Sequence, residues 1–198
     1  MYSEEILKIR KYVYDKMFDF HEKGILYHNF DHVLDVLGRV DYLADSEGVG
    51  AENKELLQIS ALFHDIEYLQ DPANHEYKSS ITAEKFLLNI NFPEDKIDII
   101  KSIIRATKMD QKPTNILEQI ISDADLDNMG REDFVQKCDI IKKEVENINN
   151  IKIEEKKRYQ QTLSLMDNIV FYTSTQKKER DDVLEKNKKI LEEKIKSL

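Results

Sequence analysis

The sequence is poor in the residues that break helices and in those that staple chains. It has 5 Gly and 3 Pro in 198 residues. So few turn-formers, among so much Leu, Ile, Lys and Glu, argue against a sheet-rich fold and for an all-α one. A single cysteine, Cys138, excludes an intrachain disulfide and suits a reducing cytoplasm. Positive charge is not in excess: the formal net charge is -9. That disfavours nucleic acid as a partner, because phosphate backbones need clustered Lys and Arg. No apolar run approaches a membrane span, and Met1-Tyr2-Ser3-Glu4-Glu5 is acidic where a signal peptide would be basic. The expectation is a cytoplasmic protein with no membrane attachment.

What is present is organised around Ala61-Leu62-Phe63-His64-Asp65-Ile66. With Leu56, Leu57 and Ile59, the run leaves almost no polar face, so it predicts a buried central helix ending near Tyr68. An ionised Asp in such a place costs on the order of several kcal/mol unless it is compensated. A cation shared by His64 and Asp65 supplies that compensation; a hydrogen-bonded His-Asp pair in the core is the plainer alternative.

The other helices follow from spacing. Ser3 caps a first helix carrying Ile6, Ile9, Val13, Met17 and Phe20 and stopping near Gly24, with His21 near its end and without an assigned role. A second runs from Tyr27-His28-Asn29 to about Ser46. It places His28 and His32 on one face, His32 nearer the apolar stripe. Further helices are predicted over Glu76–Leu88, from Phe92-Pro93-Glu94 to about Arg105, and from about Leu117 into Asp123-Ala124-Asp125-Leu126-Asp127. In the last, Asp125 and Asp127 flank the apolar face and Asp123 points toward solvent. Three more are predicted over Glu132–Asn147, Glu154–Tyr172 and Lys177–Ser197. Leu184, Leu191 and Leu198 recur every seven residues, which fits a stripe packed on its own domain. A homodimer stays an open alternative. One domain over residues 1–198 is expected, with a motif core at about 27–128 and the helices of 131–198 packed on it.

The order His32, then His64-Asp65, then Asp125 resembles the HD superfamily of metal-dependent phosphohydrolases, an all-α bundle with the hallmark His…His-Asp…Asp. Tyr27-His28-Asn29 with His32 resembles the opening motif of class I cyclic-nucleotide phosphodiesterases and of small bacterial HD hydrolases. Ala124-Asp125-Leu126 followed by Asn128 resembles the closing motif. The bacterial group carries Asn-Glu-x-x-Ser after the HD pair; here the stretch is Asn74-His75-Glu76-Tyr77-Lys78-Ser79, with His75 interposed.

The resemblance implies metal ligands His32, His64, Asp65 and Asp125, with Asp123 as the substitute if Asp125 is not the ligand. Mixed nitrogen and oxygen donors suit one Mn, Fe, Co, Ni or Zn ion, with a second, water-rich Mg site through Asp65 left open. It implies hydrolysis of a phosphate ester of a small metabolite, a nucleotide above all. His28 would be the general acid, Asp65 would take part in catalysis, and Glu67 or Glu76 would position water. Arg105, Lys108 and Arg131 are candidate phosphate binders, and solvated basic residues otherwise. Three alternatives remain: a cyclic-nucleotide or other phosphodiesterase, a metal-bearing regulatory or binding module without catalysis, and an HD hydratase or oxygenase.

Overall fold

The computed structural model describes residues 2–198. Among them are nine α-helices and no strand: α1 Glu4–Met17, α2 Phe30–Ser46, α3 Ala51–Phe63, α4 His75–Asn89, α5 Glu94–Arg105, α6 Ile116–Asp125, α7 Phe134–Asn149, α8 Glu155–Met166 and α9 Ser174–Ser197. A single 3-10 turn, Asp127–Gly130, follows α6. No described helix is long and apolar enough to cross a membrane.

Helix α3 is the buried centre. Leu56, Leu57, Ile59, Ser60, Ala61, Leu62 and Phe63 are all enclosed, and the one hydroxyl among them, Ser60, donates to the Leu56 carbonyl. Around α3 pack α1, α2, α5 and α6. Together they bury one continuous apolar cluster that runs from Ile6 to Ala124.

A second cluster, Met129, Phe134, Cys138, Tyr159, Met166, Ile169, Phe171, Leu184 and Leu191, lies under α7, α8 and α9. It meets the first across a polar seam. Asp127 takes Arg39 at 2.9 Å and Arg180 at 2.7 Å. Asn187 donates to the Met129 and Arg131 carbonyls. Gly130 lets α9 approach closely: a Cβ there would stand 2.6 Å from Arg180 Cβ.

Several expectations need correction, each for a local reason. Helix α3 ends at Phe63, not near Tyr68. His64 caps it, its Nδ1 bonding the Ala61 carbonyl at 2.8 Å, and the chain continues in tight turns, with Ile66 N–H donating to Phe63 and Tyr68 N–H to Asp65. Helix α2 begins at Phe30, because the Asn29 side chain accepts from Asp31 and His32 N–H as an N-cap. His28 therefore stands before the helix and does not share its face with His32. Helix α8 stops at Met166, and α9 starts at Ser174 on a Thr173 cap. Asp123 does not face solvent. It is 1% exposed and accepts backbone N–H bonds from Tyr172 (2.8 Å) and Thr173 (2.7 Å), tying the segment before α9 to α6. Of the seven-residue leucine repeat, Leu184 and Leu191 are buried and Leu198 is exposed.

Candidate metal centre

Three segments, bearing four side chains, converge beside the C-terminal end of α3. His32 comes from the first turn of α2, His64 and Asp65 from the turn that ends α3, and Asp125 from the last residue of α6. His32, His64 and Asp125 form a group able to hold a metal ion. His32 Nε2 lies 3.1 Å from Asp125 Oδ1, and the two Nε2 atoms lie 3.4 Å apart. His64 Nε2 is 3.5 Å from Asp125 Oδ1. Asp65 Oδ2 approaches the same two imidazoles, at 3.2 Å from His64 Nε2 and 3.5 Å from His32 Nε2. Donor separations of this size suit a first-row ion whose bonds are about 2.0–2.2 Å long.

One atom makes the fit specific. Asp65 Oδ2 is buried, lies against both imidazoles, and has no hydrogen-bond partner. A buried carboxylate oxygen left so is costly, and a cation among these donors removes the deficit. The ring orientation agrees: the Ala61 carbonyl can only accept, so His64 Nδ1 carries a hydrogen, and Nε2 offers a lone pair to an ion that displaces its proton. Electrostatics point the same way. Burial disfavours charge on His64, but Asp65 and Asp125 outweigh it and hold its pKa well above the ordinary value. Burial likewise opposes ionisation of Asp125, and the His32 and His64 rings reverse it, holding that carboxyl below its ordinary value. The pocket is built for positive charge.

His28 lies outside this set, its ring centre 5.8 Å from that of His32. It stacks on Tyr68 with ring centres 3.8 Å apart. Its Nδ1 is hydrogen-bonded to Glu144 Oε1, and Glu144 Oε2 accepts from the Tyr27 (2.7 Å) and His28 (3.0 Å) backbone N–H groups. Burial would raise the Glu144 carboxyl; the His28 ring and the two N–H donors outweigh it and hold it below its ordinary value. The carboxylate beside His28 is thus Glu144, not Glu67 or Glu76. Glu144 sits 116 residues away on α7, and no local pattern in the sequence points to it.

The remaining candidates are placed as follows. Glu67 turns aside, accepting from Thr82 Oγ1 at 2.6 Å, while its N–H donates to Ser79 Oγ. Ser79 thereby holds the turn that carries His64 and Asp65. Glu76 is buried near His75. Arg105 donates to Ser80 Oγ and lies over the Tyr77 ring. Arg131 is tied to Asp35 and Asp133. Lys108 is half-exposed, 3.8 Å from Asp110. His75, which interrupts the Asn-Glu pattern and is not among the expected ligands, joins the centre: its Nε2 is 3.2 Å from Asp65 Oδ1. Burial opposes its charge, but Asp65 and then Glu76 prevail and push its pKa up to about 9.

This His, His-Asp, Asp geometry on helices coincides with a family match. The HD domain family model matches residues 29–130, more than half of the chain. The chain belongs to the HD domain family. Among solved structures, this HD protein is similar to the crystal structure of a predicted HD superfamily hydrolase from an uncultured Thermotogales bacterium. The identity is 18%, the TM-score 0.59, and the match covers 96% of this chain and 88% of that one. At that identity the likeness concerns the fold. Among curated proteins, none matches the chain.

Proposed function

We propose that this HD protein is a metal-dependent phosphohydrolase that cleaves a phosphate ester of a small metabolite, a nucleotide being the class expected. The observation that carries the reading is the orphaned Asp65 Oδ2 among His32, His64 and Asp125, with the His28–Glu144 pair beside it. His32, His64, Asp65 and Asp125 would hold the ion, a first-row transition metal by the mix of donors. When bound there, such an ion supplies Lewis acidity toward a phosphoryl oxygen and brings the pKa of water toward about 7.

The chain's own residues do the rest. An ionised Glu144 fixes His28 Nδ1 as the N–H, leaving Nε2 to exchange a proton. As water adds to phosphorus and the ester P–O bond breaks, His28 Nε2 gives its proton to the departing alkoxide. General acids in this role contribute about 10²–10⁴-fold. Tyr68 backs the ring and limits its rotation. The proton donor matters most for esters with basic alkoxide leaving groups, monoesters and diesters alike, and least for substrates whose leaving group is already acidic. The motif core and the C-terminal helices would act as one unit, since α7 supplies Glu144.

The test is elemental analysis of the purified protein, followed by a turnover screen with the metal found, against phosphomonoesters, cyclic nucleotides and guanosine polyphosphates. Turnover that His28→Ala abolishes without loss of metal supports the reading. Full metal occupancy with no turnover on any of them favours the regulatory or binding alternative.

A further inference from the structure

The space between α7 and α8 is not filled. Met129, Cys138, Ile141, Val145, Ile153 and Leu165 line a cavity of about 180 Å³ there. Ile141, Val145, Ile153 and Leu165 are only partly buried. For scale, an apolar cavity of about 150 Å³ is enough to hold benzene. The cavity shares no residue with the metal centre or with the His28–Glu144 pair.

Its wall includes a donor that nothing satisfies. Arg158, on α8, lines the cavity and is 6% exposed. Its Nε and Nη2 bond Glu155 at 3.1 and 2.7 Å, and Nη2 also meets Asp139 at 3.0 Å. Nη1 is buried and has no hydrogen-bond partner. An enclosed guanidinium nitrogen left so is costly, and an acceptor bound in the cavity removes the deficit. The surrounding charge selects the kind of acceptor. Arg158, Lys142 and Lys152 stand against Asp139, Glu146 and Glu155, and each cation is already paired within this group. Cations and carboxylates are equal in number, so an anionic ligand meets no surplus of positive charge. A neutral oxygen satisfies Nη1 without upsetting that balance.

We propose that the cavity between α7 and α8 binds a small neutral molecule, with an apolar body about the size of one aromatic ring and a carbonyl oxygen that accepts from Arg158 Nη1. The apolar body covers the half-buried Ile141, Val145, Ile153 and Leu165, and the carbonyl fixes its orientation. This is the usual division of labour in a small-molecule site, where apolar walls supply burial and a single well-placed polar group supplies direction.

The experiment is titration of the full chain with three probes: acetophenone, α-methylstyrene, which has the same shape with a methylene in place of the oxygen, and benzoate, which is anionic. Binding is read from the methyl resonances of Ile141, Val145, Ile153 and Leu165. Acetophenone should shift all four saturably, with a Kd on the order of 1 mM for a ligand of its size, and should bind more tightly than benzoate. Arg158→Met keeps the apolar length and removes the donor. Relative to α-methylstyrene, acetophenone should lose about 10- to 100-fold in that variant, the range expected for a hydrogen bond to a charged group. Thr162→Phe, which fills the cavity from α8 and leaves Arg158 in place, should abolish binding of all three and serves should Arg158→Met not fold. No saturable shift at these methyls in the wild type overturns the site, and so do shifts that persist in Thr162→Phe. Equal losses of acetophenone and α-methylstyrene in Arg158→Met overturn the role of Nη1. Tighter binding of benzoate than of acetophenone overturns the neutral class.

Discussion

Replacing Glu144 by Gln changes one atom and alters the part of the site that the sequence did not reveal. In the native protein the carboxylate is fully buried and accepts from Tyr27 N–H, His28 N–H and His28 Nδ1. The amide can keep the two backbone donors on its oxygen. Its NH₂ then faces His28 Nδ1, which must become an acceptor, and the ring hydrogen moves to Nε2 of a neutral imidazole. Hydrogen bonds to a charged group contribute about 1.5–3 kcal/mol and neutral ones about 0.5–1.5, so the expected loss of stability is about 1–3 kcal/mol. For a chain of 198 residues, each kcal/mol lowers the melting temperature by about 2–4 °C. The catalytic effect should be larger. A neutral His28 is a weak proton donor, so turnover of an alkyl phosphate should fall by much of the roughly 10²–10⁴-fold that general acid catalysis supplies. A nitrophenyl phosphate, whose leaving group needs no proton, should lose little. The assay is kcat for both esters at matched metal content, with metal measured on each preparation. Equal losses on the two esters would refute the proton-donor argument, and so would loss of metal in Glu144→Gln.

Four other outcomes are expected. His32→Ala and Asp125→Ala should lower metal content sharply, and chelation should cost the wild type about 4 kcal/mol if free metal stood near 1,000 times its Kd; identical melting curves before and after confirmed metal removal would count against the buried centre. Asp123→Asn should keep its metal but lose about 1–3 kcal/mol, because an amide nitrogen replaces an oxygen that accepts a backbone N–H; metal loss there with retention in Asp125→Ala would exchange the roles of the two. Since the folded Glu144 carboxyl titrates below its ordinary 4.5, its contribution is complete above that pH and is lost as pH falls through the lower folded value; the acid limb of a melting-temperature profile should be shallower in Glu144→Gln than in wild type. Burial pushes the Cys138 thiol up to about 12, so iodoacetamide should leave it unmodified in native protein at pH 8 and label it after denaturation, as mass spectrometry would read.

Much of the frame was legible in the chain itself because it rests on periodic burial. The stripe Ile6, Ile9, Val13, Met17 is the buried face of α1. The run through Leu62 and Phe63 is the enclosed helix at the centre. The scarcity of Gly and Pro matches a fold without strands among the described residues. The order His32, His64-Asp65, Asp125 points to one site, because residues separated in sequence on different helices are brought together only where those helices cross. Helix ends were read less well. His64 and Asn29 are polar residues whose side chains cap the helix ends, and such bonds compete with continued helix in ways that apolar spacing does not register.

Sequence alone determined the helical class, the central helix and the group of His and Asp residues, because each is set by local pattern or by a short motif. Only the tertiary structure decided what those residues face. It buried Asp123 against the Tyr172 and Thr173 backbone, where helical phase placed it toward solvent. It tied Arg131 to Asp35 across 96 residues. It brought Glu144 to His28 from a helix that carries no part of the motif, and it turned His75, an interruption in a familiar pattern, onto Asp65. The physical reason is shared. A charged or polar side chain is governed by the partner it meets across the fold, most strictly where it is buried, and that partner is chosen by helix packing rather than by its neighbours in the chain.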